Sequence, residues 1–391
     1  MRIAGRIDAI DAARGCAMVL VCLSHIRQHF DVSSPTISYL LGVITRIATP
    51  TFLLLSGFIA GYLLRGDKPR IGITLIDRGL FLLVVAHLLL GLAHLPEVSL
   101  FEWLFARVTI TDAIGVALCM AVLFRKFSGG ALLALGVSVC VLSWVIGFTG
   151  AAQSAWANHL GGLLFNLSSA PNPLVNVALA PYLAVFMLGM ALSAHLHGAL
   201  TSNNQRFLAR RLLTIGACGV TAALIGVLAW HASKNSLPDA LREPYITDLL
   251  RATLDPRRKW PPSPAYLLFY SGIGLLLAGV FFHRRPALFL EPVIRTASTI
   301  GRASLMCFVV QDWLLFVVPA AFGFKDVVST SFWFAYFAAT VLTLYVLARL
   351  WGEARGNRFL TLGLKRLAGR REKRQRTLIP DHGNDAAPVR H

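Results

Sequence analysis

Charged residues are scarce in this chain, in which Asp, Glu, Lys and Arg make up only 14% of 391 residues. A soluble domain carries about 25%, so the composition excludes a soluble globular fold. Acidic residues are the rarer kind, with 19 against 37 basic ones. The six cysteines all fall inside apolar runs and form no C-x-x-C pair, so neither a disulfide framework nor a zinc site is indicated.

Long apolar runs dominate instead, and 56% of the residues are hydrophobic. A helix needs about 20 apolar residues to cross the hydrocarbon core, whereas barrel strands are alternating segments of about 10 residues. The runs have the helical length, so the sequence predicts an all-α, polytopic integral membrane protein. About ten transmembrane helices are expected, near residues 10–29, 44–64, 75–95, 108–124, 130–149, 174–195, 212–231, 264–283, 299–320 and 330–350.

The loops between these runs predict the topology. Basic residues concentrate on alternate loops, near 65–78, 125–126, 206–211 and 284–295, which is typical of cytoplasmic loops. An even number of spans then places the N- and C-termini in the cytoplasm. The loop 232–263 is an exception, because it is basic although the predicted topology places it on the outer side of the membrane. The weakly apolar stretch 152–168 is interpreted as a re-entrant or surface helix rather than an eleventh span.

The net charge of +18 agrees with this topology and does not indicate nucleic acid as a partner. Residues 352–391 hold ten Lys/Arg against four Asp/Glu. Two parts are therefore predicted, a membrane-embedded domain over 1–351 and a basic, disordered cytoplasmic tail over 352–391. Anionic membrane lipids are the expected partner of the tail, and the inner (plasma) membrane is the expected location.

The first predicted span carries the densest set of polar residues. Asp11 and Arg14 are three apart and share a face of the helix. His25 follows Arg14 by eleven residues, almost three full turns, which places both on one stripe about 16 Å apart. Histidine is the natural general base near neutral pH, and arginine suits phosphate. A structural histidine and an arginine that snorkels to lipid headgroups explain the same pattern.

Polar residues also occur in three later apolar segments. Each is a functional hypothesis because polar groups are costly in lipid. No metal site is indicated. The candidates for substrate contact or structural support are Arg46, Ser56, Gly57, Trp260, Arg302 and Gln311.

Four motifs carry a resemblance to a known family. The sequence Arg-Ile-Asp-x-Ile-Asp-x-x-Arg-Gly at residues 6–15, followed by His25, resembles the first helix of the acyltransferase-3 branch of the transmembrane acyltransferase superfamily. The segment from Thr45 to Gly57, Lys-Trp-Pro-Pro-Ser at 259–263 and Gly-Arg-Ala-Ser-Leu at 301–305 are similar to motifs of the heparan-α-glucosaminide N-acetyltransferase-like branch. The chain departs at Gln311, where many relatives have histidine.

The resemblance implies an acyl-CoA-dependent O- or N-acyltransferase. Acyl-CoA, usually acetyl-CoA, would act as a co-substrate with no bound cofactor, and the acyl group would pass to a sugar of an envelope glycan or glycolipid. His25 would be the catalytic base, with Arg14 beside the donor. The cationic side chains Arg14, Arg70 and Arg78 would hold the phosphates of coenzyme A.

Two other functional classes fit the apolar spans and buried charges. One is a transporter or flippase for a lipid or glycan, which Gly- or Pro-broken helices in matching halves would favour. The other is a non-catalytic membrane partner of an envelope assembly complex. No internal repeat is found, and transfer from acyl-CoA by the purified protein separates the enzyme from both.

Overall fold

A computed structural model represents the protein. It describes residues 7–32, 34–66, 70–149, 164–165, 177–233, 244–259, 262–283, 291–323 and 327–364. The stretch 152–168, apart from residues 164–165, lies outside the described residues, as do Trp260 and the tail beyond residue 364.

The described part is built almost entirely from helices. They are α1 (Asp8–His29), α2 (Pro35–Thr45), α3 (Ala48–Arg65), α4 (Ile71–Phe81), α5 (His87–Ala93), α6 (Leu100–Ala106), α7 (Ile110–Ala121), α8 (Gly129–Thr149), α9 (Leu179–His195), α10 (His197–Thr201), α11 (Gln205–Ser233), α12 (Pro244–Leu254), α13 (Pro264–Phe282), α14 (Glu291–Arg302), α15 (Ser304–Asp312), α16 (Val318–Phe322) and α17 (Thr330–Glu353).

The strands are two residues each, β1 (Asp31–Val32) and β2 (Val327–Val328), and they pair in parallel. They connect the chain just after α1 with the chain just before α17. Short 3-10 turns follow α7 at Leu123–Lys126 and α17 at Gly356–Arg358.

Eight helical stretches among the described residues are long and apolar enough to cross a membrane, and α7 and α9 are shorter apolar helices. Each of the ten predicted spans falls on one of these stretches. The prediction of an all-α polytopic membrane protein is therefore confirmed. How many helices cross the bilayer, and on which side the termini lie, stay predictions.

Three of the predicted spans are not regular helices. The second is divided at Arg46 into α2 and α3. The third contains a π-helical turn at Leu82–Ala86 between α4 and α5, and the ninth contains one at Trp313–Val317 between α15 and α16. Such turns change the direction of the side chains that follow and often occur at functional sites.

Several helix starts follow ordinary capping rules. The Ser263 side chain accepts a hydrogen bond from the Tyr266 amide at 2.9 Å, with Pro264 at the first position of α13. Thr109 and Asp112 form a capping box at the start of α7, and Ser329 caps α17. These residues satisfy amides that the helix leaves without partners.

The crossing of α1 and α14 is unusually close because both helices have glycine at the contact. A Cβ atom at Gly15 would overlap the carbonyl oxygen of Ala297, and one at Gly301 would overlap that of Asp11. The Arg-Gly and Gly-Arg sequences of the two motifs thus have one physical role. They let the two helix backbones come into contact, which places Arg14 and Arg302 close to each other.

The topology prediction is tested by reporter fusions. Fusions at residues 68, 126, 208, 285 and 380 are expected to report the cytoplasm, and fusions at 100, 160 and 325 the outside, because the basic loops are retained on the cytoplasmic side. A cytoplasmic signal at residue 160 would contradict the arrangement of ten spans.

Candidate active site

One cavity of about 700 Å³ lies within the helix bundle, and α1 forms one of its walls. Arg14 and His25 both line it. Since they are eleven residues apart on a straight helix, the cavity extends at least about 16 Å along α1. The predicted stripe of α1 is therefore a wall of a continuous chamber. In the predicted topology Arg14 lies toward the cytoplasm and His25 toward the outside.

His25 is held by two residues of α15. Its Nδ1 atom lies 3.1 Å from Oδ1 of Asp312 and 3.2 Å from Nε2 of Gln311. The Gln311 amide also donates to the same Asp312 oxygen at 3.3 Å. The Asp312 side chain is only 5% exposed, whereas that of His25 is 23% exposed, toward the cavity. Phe308 and Phe316 contact the imidazole with their edges.

This arrangement decides which nitrogen can act as a base. An ionised carboxylate only accepts hydrogen bonds, so Nδ1 of His25 must carry a proton in order to donate to Asp312. The Gln311 amide nitrogen is also a donor, so with this tautomer its hydrogen bond goes to Asp312 and not to the imidazole. The Nε2 atom of the neutral ring then has the free lone pair. Among the described residues, Nε2 has no hydrogen-bond partner. An imidazole oriented by a buried carboxylate is the arrangement of a general base or nucleophile.

A second histidine shares this carboxylate. His94, just after α5, places Nε2 3.5 Å from Oδ2 of Asp312. Its ring stacks on Trp103 with centroids 4.3 Å apart and contacts Phe316 at 3.8 Å. Both oxygens of Asp312 therefore face an imidazole. Gln311 donates to one oxygen of this carboxylate from α15, and a histidine that follows a different helix lies at the other.

The π-helical turn after Asp312 positions the surrounding walls. It begins at Trp313, whose indole donates to the carbonyl of Leu89 at 3.1 Å. Phe316, in the same turn, lines the cavity between the two histidines. The turn thus connects the ninth span to the third at the level of the site.

Cationic side chains line the opposite end of the cavity. Arg14 donates from Nη2 to the hydroxyl of Ser304 at 2.6 Å, and its guanidinium lies 6.0 Å from the ring of Phe52. Arg78 and Arg302 line the same end. The three guanidinium groups make this end a suitable place for an anion.

The partners of Arg302 explain how it is oriented. Its Nη2 donates to Asp8 at 2.9 Å and its Nε lies 3.8 Å from Asp11. Helix α14 ends at Arg302, and α15 begins at Ser304 after a break at Ala303. This break turns Ser304 toward Arg14.

Lys259 lines the cavity near the end that holds His25. It lies in the turn before α13, where Lys259 pairs with Pro262 through the backbone. Burial, together with the nearby charges of Arg46 and Arg27, lowers the pKa of Lys259 to about 8. The cationic side chain of Lys259 therefore faces the cavity from the loop 232–263, which is basic although the predicted topology places it on the outer side.

The structure gathers some of the sequence candidates at the cavity and leaves others away from it. Arg14, His25, Ser56, Arg78 and Arg302 line it, and Gln311 contacts His25. The other candidates in the described part are not among the described lining residues. Asp11 faces Arg302, and the carbonyl of Arg46 accepts a hydrogen bond from the Tyr266 hydroxyl at 3.3 Å. Gly57 lies at a helix contact, where a Cβ atom would overlap a carbonyl of α9. Arg70 is exposed just before α4.

Several site residues are not identified by sequence reasoning. His94 is the last residue but one of the predicted span 75–95, and nothing in its neighbourhood connects it to residue 312. Asp312 stands out in the sequence as the acidic neighbour of Gln311 inside an apolar run, but nothing in the sequence connects it to His25. Ser304 and Lys259 fall within the motifs at 301–305 and 259–263, but the motifs do not indicate which groups they face, because that depends on which helices pack together.

A second buried histidine–aspartate pair provides a comparison. His87 lies with Nδ1 2.9 Å from both carboxylate oxygens of Asp112, and both side chains are 9% exposed. Its Nε2 faces the carbonyl of Trp103 at 3.3 Å. Neither residue is among the described lining residues of the cavity. With both ring nitrogens engaged, this pair is structural.

The fold and the cavity define a multi-pass membrane protein with an oriented histidine in an internal chamber. The family comparison gives its class: the chain belongs to the acyltransferase-3 family, whose model, described as an acyltransferase domain, matches residues 7–349. The protein is a membrane acyltransferase. No curated protein and no solved structure gives a significant match.

Proposed function

We propose that this acyltransferase moves an acyl group, in the first instance acetyl, from cytoplasmic acyl-CoA to a sugar of a cell-envelope glycan or glycolipid at the outer face of the inner membrane. The observation that carries the proposal is a continuous cavity with an oriented base at one end and guanidinium groups at the other. In such a chamber, a donor bound at one end and an acceptor bound at the other can meet at one site.

The donor end is proposed to be the one lined by Arg14, Arg78 and Arg302. Guanidinium groups bind phosphate through charge-assisted, often bidentate hydrogen bonds. The phosphates of coenzyme A are remote from its thioester, and the pantetheine arm connects them. Phosphates held near Arg14 therefore leave the thioester free to extend along the cavity toward His25.

The acceptor is proposed to approach from the end near Lys259. In the direct mechanism, Nε2 of His25 removes the proton from a sugar hydroxyl or amine as that atom attacks the thioester carbonyl. The bond from carbon to sulfur then breaks, and the proton passes from His25 to the leaving sulfur of coenzyme A. In the relay mechanism, Nε2 attacks the carbonyl first, the bond from carbon to sulfur breaks and coenzyme A leaves as the thiolate. The acceptor then attacks the acyl carbon, the bond to Nε2 breaks, and the acceptor proton passes to the freed imidazole.

Asp312 supports both mechanisms in the same way. Its carboxylate holds the proton on Nδ1 and stabilises the positive charge that develops on the ring. Gln311 donates to the same carboxylate and holds it in place. The two mechanisms are separated by the exchange of label between acetyl-CoA and free coenzyme A without acceptor, which only the relay permits.

The donor proposal makes a prediction for Arg14→Lys. Lysine keeps the charge but lacks the planar fork that binds phosphate in two places. The KM for acetyl-CoA is expected to rise about tenfold, the equivalent of one charge-assisted hydrogen bond, with a small change in kcat. The measurement is CoA release as a function of acetyl-CoA concentration.

The matched control for this prediction is Arg295→Lys. Arg295 pairs with Glu291 on the exposed face of α14, outside the described lining of the cavity, and its replacement should leave the KM unchanged. If Arg14→Lys behaves like this control at normal expression, the arginine merely extends to lipid headgroups.

Mass spectrometry of surface glycans tests the function as a whole. Cells with and without the gene are compared for a single acyl mass increment, and purified protein is assayed for CoA release from acetyl-CoA. Identical glycans together with no turnover of acetyl-CoA would contradict the proposal.

A further inference from the structure

After α17 the chain folds back against the helix bundle. Residues 356–364, here named the C-terminal strap, return to the end of the cavity that holds Arg14, and both Asn357 and Leu360 line that cavity. A Cβ atom at Gly356 would overlap the ring of Trp351, so the strap turns tightly against α17. The strap lies inside the stretch for which composition alone predicts a disordered tail.

A single buried carboxylate holds the far end of the strap. Asp77 of α4 is only 3% exposed, and it accepts hydrogen bonds from the Thr361 hydroxyl and from the amides of Leu362 at 3.0 Å and Leu364 at 3.2 Å. Hydrogen bonds to an ionised acceptor are about twice as strong as neutral ones. Gly363 has φ 85°, which lets the backbone curl around the carboxylate.

The near end is held by the helix break at the site. The Asn357 amide donates to the carbonyl of Arg302 at 3.1 Å, and the indole of Trp351 donates to the Asn357 oxygen at 3.0 Å. Leu360, like Leu305 of α15, packs against the apolar cluster that contains Leu82 of the π-helical turn. The strap therefore bridges α4 and the junction of α14 with α15, and both of these elements contribute a cavity arginine.

We propose that the C-terminal strap is part of the acyl-CoA site, in which Asn357 and Leu360 contact the pantetheine arm of the donor. This rests on the proposed function, because the arm connects the phosphates near Arg14 to the thioester near His25 and must pass this wall. An Asn side chain has hydrogen-bonding capacity beyond its two present partners, which suits the amides of the arm. Leu360 suits its methylene groups.

Two truncations test the proposal with a matched control. Ending the chain after residue 355 removes the strap, and ending it after residue 364 removes only the basic stretch that follows. The shorter chain is expected to bind acetyl-CoA and coenzyme A at least about tenfold more weakly, the equivalent of 1.4 kcal/mol. The longer chain should bind both as the full-length protein does. Equal affinity of the two truncations would overturn the proposal.

Point variants keep the test decisive if the shorter chain does not fold. Asp77→Asn removes the charged acceptor of three hydrogen bonds, and Leu360→Ala removes an apolar contact with the donor. Each is expected to weaken acetyl-CoA binding several-fold. Unchanged affinity in both, with normal folding, would also overturn the proposal.

Hydrogen exchange separates a donor-binding strap from one that only braces the helices. Coenzyme A added to the full-length protein is expected to slow exchange of the Leu362 and Leu364 amides, because a bound arm stabilises the closed strap. A brace shows no such change, and that result would refute the role in binding. If the full-length protein binds neither acetyl-CoA nor coenzyme A, the proposed function itself fails.

Discussion

Replacing His25 by alanine is expected to reduce turnover by roughly 100- to 10,000-fold, the usual contribution of a positioned acid–base residue. The protein should still insert into the membrane and bind acetyl-CoA, because the donor phosphates are proposed to lie about 16 Å away near Arg14. The measurement is CoA release from acetyl-CoA in membranes that contain the acceptor, normalised to folded protein, with donor affinity determined separately.

His87→Ala is the matched control for this prediction. His87 is also a buried histidine paired with an aspartate, but it is not among the described lining residues of the cavity. Its loss should lower the free energy of unfolding by about 1–3 kcal/mol, because Asp112 loses a buried partner, and leave turnover per folded molecule near normal. The assignment of the base fails if His25→Ala retains near-normal turnover, or if only His87→Ala abolishes it.

Asp312→Asn is expected to be almost as damaging. Asparagine has nearly the same shape, but its NH₂ group can donate to Nδ1 of His25 and so favour the tautomer with the proton on Nε2. That tautomer presents a donor to the cavity and cannot take a proton from the acceptor. We expect kcat to fall on the order of 100- to 1,000-fold while the affinity for acetyl-CoA changes little.

A double variant shows whether Asp312 acts through His25. If it does, His25→Ala combined with Asp312→Asn should be no slower than His25→Ala alone, because residues of one catalytic unit are not additive. Asp112→Asn serves as the control, since it alters the structural pair in the same way. Independent, multiplicative losses would show that Asp312 contributes by some means other than orienting the imidazole.

The membrane architecture could be predicted from the sequence because each span is recognisable from its own residues. Each span is a run of apolar residues long enough to be seen without knowing its neighbours. The stripe of Arg14 and His25 was predictable for the same reason, since helical geometry alone places residues eleven apart on one face. The helix breaks at Arg46 and after Asp312 were not predictable, because a π-helical turn or a kink depends on what packs against it.

The C-terminal strap shows the limit of composition. A basic stretch with few apolar residues predicts disorder. Composition contains no information about the buried carboxylate of Asp77, which lies 280 or more residues earlier in the chain and binds the strap. The candidates Arg46 and Arg70 illustrate the opposite case, in which the sequence suggests a site residue that does not line the cavity. Both are cationic and close to motif residues in sequence, yet neither is among the described lining residues of the cavity.

The sequence by itself determined that this is a multi-span helical membrane protein, that Arg14 and His25 share a helix face, and that its motifs resemble those of acyltransferases. All three depend on residues close together in the chain. Only the tertiary structure decided that Asp312 and His94 meet at His25, and that Arg14, Arg78, Arg302 and the strap share one end of the cavity. Those groups come from different helices, and glycine contacts such as Gly15 with Gly301 set how closely the helices approach and which side chains meet.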